Sequence, residues 1–123
     1  MINPEHDPLV SIESLIVSGR VAEARRLLRG TTQKKVPRDS LLKVANLSRR
    51  AGLFGLAMRL LNPVVRAQGK VALPATSAEK AEYGALLTYI GATEEALALL
   101  KAIDVKAAPQ VLLYEAFAFF SAW

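Results

Sequence analysis

Residues 19–28 read GRVAEARRLL, and the same pattern returns as GLFGLAMRLL over 52–61 and GATEEALALL over 91–100. All three obey Gly-x4-Ala-x3-Leu: Ala24, Ala57 and Ala96 stand five residues after Gly19, Gly52 and Gly91, and Leu28, Leu61 and Leu100 stand four residues after those alanines. Glycine ends one helix and lets the chain reverse within a few residues, while alanine suits the point where two helices approach most closely. Leucine one turn later fills the seam between them. The pattern predicts a helical hairpin made three times.

Working outward from these turns, apolar residues recur at helical spacing, and nothing long alternates with period two as a strand would. The fold class predicted is all-α. Asp7-Pro8 supplies a cap and a first-turn proline for a helix over 8–18, closed by Gly19. A second helix over 21–29 is expected to stop at Gly30, and a third, capped by Asp39 or Ser40, to end before Gly52. A fourth starts near Leu53 and is expected to kink or restart at Asn62, because Pro63 cannot join the helical ladder. After a connector at 69–74, Thr76 and Glu79 form a capping box that opens a fifth helix, closed by Gly91. A sixth runs from Thr93 or Glu94 to about Ile103, residues 104–108 form a link, and Pro109 opens a seventh through residue 123.

The chain has 123 residues, 52% of them hydrophobic, with no cysteine, which suffices for one core without disulfides. It reads as a single helical-repeat domain over 1–123, with units at about 8–30, 39–68 and 77–104 and an extra helix at 109–123. The seventh segment is apolar on every side, which predicts a buried helix. By the repeat register it is the first helix of a fourth unit, so the chain is expected either to be the N-terminal part of a longer protein or to cover Phe117, Phe120 and Trp123 by self-association.

The turn glycines are separated by 33 and 39 residues, against a period of about 34 in tetratricopeptide repeats. With Gly84 in the first helix of the third unit, the spacing and the Gly-x4-Ala-x3-Leu pattern resemble that family. The pattern departs from it in lacking an early tryptophan, in Ile12 and in Pro63. The resemblance implies an α-solenoid of three hairpins plus a C-terminal helix, whose concave groove is lined by the first helix of each hairpin. Carried onto this chain, the groove positions are Leu9, Val10, Glu13, Ile16 and Val17 in the first unit. In the second they are Asp39, Leu42, Lys43, Asn46, Arg49 and Arg50, and in the third Ala78, Ala81, Glu82, Ala85, Thr88 and Tyr89. The family's carboxylate clamp draws Lys, Asn and Arg from several units. Here Lys43, Asn46, Arg49 and Arg50 come from one, so the complete clamp is absent.

Charge is distributed unevenly. Residues 20–70 hold thirteen Lys or Arg against Glu23 and Asp39, a local +11 within a chain of net +5. Such a block attracts acidic partners. Lys43, Asn46 and Arg50 share one helix face by their spacing, so the expected function is a non-catalytic protein-binding scaffold that captures an acidic or carboxylate-bearing segment with Lys43, Asn46, Arg49, Arg50 and Tyr89. One alternative is a nucleic-acid-binding helical repeat using the basic block, including Arg25, Arg26, Arg29, Lys34, Lys35 and Arg38, although aromatics that would stack bases are absent from the loop there. Another is assembly through Phe117, Phe120 and Trp123.

No catalytic, metal or cofactor motif appears. The single histidine, His6, lies in a proline-rich start, and the glycines occupy turns or repeat positions rather than a phosphate loop. The start carries acids rather than a basic signal sequence. The longest apolar stretch, 111–123, contains Glu115 and is shorter than the roughly 20 residues a membrane span needs. A cytoplasmic location without a membrane partner is the resulting expectation.

Overall fold

At Gly19, Gly52 and Gly91 the backbone φ is +83°, +82° and +91°, a region where an L side chain costs about 1–2 kcal/mol. Each glycine N–H donates to the carbonyl three residues back, on Ile16 (3.1 Å), Arg49 (2.9 Å) and Thr88 (3.1 Å). The next N–H reaches five back, to Leu15 (2.8 Å), Ser48 (2.7 Å) and Leu87 (2.8 Å). This pair of bonds satisfies the last carbonyls of the outgoing helix. The following helix then takes its bond from the motif alanine: Ala24 to Arg20, Ala57 to Leu53 and Ala96 to Ala92, at 3.2, 3.1 and 2.9 Å. All three alanines and the three leucines after them are wholly buried. The sequence motif is one local geometry made three times.

A computed structural model describes residues 7–66 and 73–121, among which there are seven helices and no strand. They are α1 (Pro8–Val17), α2 (Val21–Thr31), α3 (Arg38–Arg50), α4 (Phe54–Val65), α5 (Ser77–Tyr89), α6 (Thr93–Lys101) and α7 (Val111–Ser121). The all-α class read from periodicity holds. The caps read at both Asp7 and Thr76 also hold: Asp7 Oδ1 accepts from the Leu9 N–H at 2.9 Å. Thr76 and Glu79 exchange side-chain and backbone bonds of 2.8 and 3.1 Å. His6, Trp123 and the connector up to residue 72 lie outside the described residues.

Several boundaries differ from expectation. Helix α2 runs through Gly30 to Thr31, because the Thr31 and Thr32 hydroxyls donate to the Leu27 and Leu28 carbonyls at 2.8 and 2.9 Å and finish the helix there. Neither Asp39 nor Ser40 caps α3. Pro37 does so with an extended backbone at φ −60° and ψ 148°, which its ring favours, and Asp39 falls in the first turn, where a negative charge suits the helix dipole. Pro63 does not break α4, since it sits in the last turn and removes a single ladder bond. The Arg66 N–H still closes on the Asn62 carbonyl at 3.0 Å. Helix α6 stops at Lys101, and α7 begins at Val111, with Pro109 in the turn before it.

The chain forms two compact units, Met1–Ala57 and Met58–Trp123. In the first, α1 packs on α2, and α3 packs on both. In the second, α5 packs on α6, and α7 packs on both. Each unit is thus a helical hairpin with a further helix laid across its two members. Ile12, Leu28, Val44 and Leu47 fill the first core, while Leu86, Leu87, Leu100 and Val111 fill the second.

The helix closed in on all sides is α5, not α7. Every residue from Ala81 to Thr88 is buried, including polar ones whose groups find partners within reach. Thr88 donates to the Gly84 carbonyl at 3.1 Å, and Glu82 accepts from the Tyr114 hydroxyl at 3.5 Å. Among the described residues no buried side-chain polar atom lacks a hydrogen-bond partner. Helix α7 fully buries Val111 and Ala118 and half-buries Tyr114 and Glu115, while Leu112, Leu113, Phe117, Phe119 and Phe120 are exposed. Its hydrophobicity marks a face that ought to be covered, and among the described residues the covered side is the one toward α5 and α6.

Gly84 shows how tightly α5 and α6 meet: a Cβ there would lie 2.6 Å from Leu100 Cδ2 and 2.7 Å from its Cγ, both within a wholly buried side chain. Gly84→Ala should therefore cost about 1–3 kcal/mol by overpacking, read by chemical denaturation. Combined with Leu100→Ala it should cost less than the two single losses added, because the truncation makes the space the methyl needs.

Candidate binding surfaces

Packing of α1 on α3 brings Glu13 over the α3 face that carries Lys43, Asn46 and Arg50. Glu13 Oε2 lies 2.7 Å from Arg50 Nη1 and 3.2 Å from Lys43 Nζ. The same Arg50 nitrogen donates to Asn46 Oδ1 at 3.3 Å. Three of the four α3 residues singled out for anion binding thus gather around a carboxylate of the chain itself. Arg49 is the next residue back from Arg50 on the same helix and is half-buried.

Partial burial by itself pushes the Glu13 pKa up, but hydrogen bonds from Arg50 and Lys43 and the charges of both outweigh it and hold the carboxyl below its ordinary value. The side chains remain 35% (Glu13), 48% (Lys43) and 30% (Arg50) exposed. Pairs this open to water contribute about 0–1 kcal/mol, so the arrangement is geometrically defined and energetically shallow.

Tyr89 belongs to the second unit, where its ring centroid lies 5.1 Å from that of Phe117 at an interplanar angle of 42°. It is part of the aromatic surface at α7, together with Phe117. Leu112, Leu113, Phe119 and Phe120 are each more than half exposed. The groove positions expected in the third unit do not form an accessible wall: Ala81, Glu82, Ala85 and Thr88 are all buried, in the helix that α6 and α7 pack against.

The basic block also resolves into separate roles. Arg25 donates from Nε to the Ala51 carbonyl at 2.6 Å, closing the C-terminus of α3, while the residue stays exposed. Arg20 pairs with Glu23 along α2. Arg26, Arg29, Lys34 and Lys35 remain on the exposed surface of α2 and the loop after it.

One cluster was invisible in the pattern. Arg66 donates from Nε to the Tyr83 hydroxyl at 2.5 Å, pairs with Glu95, and places its guanidinium 5.3 Å from the Tyr83 ring centroid. The Tyr83 hydroxyl in turn donates to Asn62 Oδ1 at 3.1 Å. The one available signal was a tyrosine among small residues, since a buried phenol needs a polar partner. The network ties the end of α4 to α5 and α6.

A half-open hollow of about 170 Å³ lies between the start of α1 and the loop before α3, with Lys35 and Ser40 in its wall. It is smaller than the roughly 300 Å³ at which ligand pockets begin, and the Asp7 carboxylate there is engaged as a helix cap. Among the described residues no group of three or more acidic or histidine side chains is placed to hold a metal. No helix among them is long and apolar enough to cross a membrane.

The ion pairs around Glu13 give a definite titration. Their contribution to stability is complete above the ordinary glutamate pKa and is lost as pH falls through the lowered one. Carbon-detected NMR of the side chain should find Glu13 titrating below an ordinary glutamate, and Arg50→Gln should move it back up. Comparison with protein-family models, with curated proteins and with solved structures yields no match to this chain.

Proposed function

We propose that this chain is a non-catalytic, tetratricopeptide-like scaffold that binds an acidic or carboxylate-bearing segment of a partner protein on the α1/α3 surface. The observation carrying this reading is the meeting of Lys43 and Arg50 on one carboxylate oxygen, with Asn46 beside them. Two cations and an amide held by one helix face form a receptor for a carboxylate, and Glu13 occupies it from within the chain. Because the internal pairs are exposed, their exchange for a ligand carboxylate costs little. The excess of positive charge over 20–70 adds a long-range attraction for an acidic segment. The tetratricopeptide-like part of the reading is supported by the thrice-made glycine turn and by the common packing of a hairpin with a following helix in both units.

The reading is tested with a fluorescein-labelled peptide bearing several Asp and Glu residues and a free C-terminus, followed by anisotropy at low salt. Arg50→Glu and Lys43→Glu should each weaken binding by about tenfold, corresponding to 1.4 kcal/mol. Glu13→Gln should strengthen it, since it removes the internal competitor. Equal affinity of the wild type and Arg50→Glu would overturn the assignment.

A further inference from the structure

We infer that the chain associates with a second copy of itself through the outward face of α7, helix against helix across a two-fold axis. On the inner side of this helix Val111 and Ala118, seven residues apart, are wholly buried, and its only charged residue, Glu115, is half-buried beside them. On the outer side Leu113, Ala116 and Phe120 follow helical spacing, flanked by Leu112 and Phe119 on one edge and Phe117 on the other. All six are exposed, Leu113 by 70% and Phe120 by 72%. The apolar and charged residues are thus placed opposite to the arrangement of a helix whose outer face meets water.

Three observations select a second copy as the occupant. The first is area: the five large side chains leave about 600 Å² open on each copy, so a contact that covers all of them on both copies buries about 1,200 Å², the lower bound for stable interfaces. Tyr89, seated against Phe117, extends the patch beyond that. Second, the face carries no charge, so two identical faces meet without repulsion, as a two-fold contact requires of any surface placed against itself. Third, Ala116 stands at the centre of the face. A small residue there lets the two helix axes approach to the roughly 8–10 Å of packed helices, with Leu113 and Phe120 of each copy filling the space beside the other's Ala116. A lipid surface is a poorer match, since interfacial helices carry Lys and Arg on their polar side, whereas residues 107–123 contain neither.

Sedimentation equilibrium of the full chain from low micromolar to near-millimolar concentration should show the 13.3 kDa mass doubling and then levelling off. Leu113→Glu and Phe120→Glu should each abolish the doubling and leave the helical circular dichroism and melting of the monomer intact, because both side chains already face water there. Independently, Ala116→Cys in this cysteine-free chain should give a covalent dimer with a short bis-maleimide, and Gln33→Cys should not. A monomer at every concentration, a dimer that survives Phe120→Glu, or growth past the dimer would overturn the proposal, the first by leaving the face to some other occupant.

Discussion

Everything in this chain hangs on a left-handed backbone step at three glycines. The step ends one helix, satisfies its last carbonyls through two short bonds, and delivers the chain directly into the next helix with a wholly buried alanine at its first complete bond. Without it the helices would be joined by longer polar loops, and the alanine and leucine that follow would lose their fixed phase relative to the preceding helix. In the two hairpins α1/α2 and α5/α6 that phase decides which face of each helix is packed. It therefore also decides where the following helix, α3 or α7, can lie.

From that constraint the two surfaces of interest follow. Placing α3 across α1 and α2 puts Glu13 opposite Lys43 and Arg50, and the resulting cluster is polar, solvated and weak. Placing α7 across α5 and α6 encloses α5 so fully that even Glu79, Glu82 and Thr88 are buried, each with a hydrogen bond or cap to meet. The far side of α7 stays exposed at Leu112, Leu113, Phe117, Phe119 and Phe120. Gly84 is where the second packing is tightest, since only a residue without a Cβ lets Leu100 reach the α5 backbone. The polar surface and the apolar surface thus arise from the same packing scheme acting on different side chains.

What was legible beforehand is what local chemistry determines. The glycine turns, the Asp7 cap and the Thr76/Glu79 box each depend on residues within five positions of one another, and they formed as read. Single-residue rules failed where neighbours overruled them. Gly30 did not stop α2 because two threonine hydroxyls extend it. Pro63 did not break α4 because it falls in the last turn, and Pro37 displaced the caps expected at Asp39 and Ser40. Contacts between distant residues were legible only as candidates. The spacing of Lys43, Asn46 and Arg50 announced one face, but not that a residue 30 positions from Lys43 would sit on it. The Arg66–Tyr83–Asn62 network left no periodic trace. In α7 the all-round hydrophobicity predicts a buried helix and the helix is largely exposed, because hydrophobicity says that a face needs cover without saying what supplies it.

The account is tested most directly by exchanging glycine for alanine at two kinds of position and measuring stability by urea denaturation. At Gly19 and Gly91 there is open space for a methyl group but φ is positive, whereas at Gly30 there is the same space within a helix. Gly19→Ala and Gly91→Ala should each lose about 1–2 kcal/mol from backbone strain, while Gly30→Ala should gain up to about 1 kcal/mol from helix propensity. Losses of similar size at all three, or none at Gly19 and Gly91, would contradict the claim that the left-handed turn organises this chain.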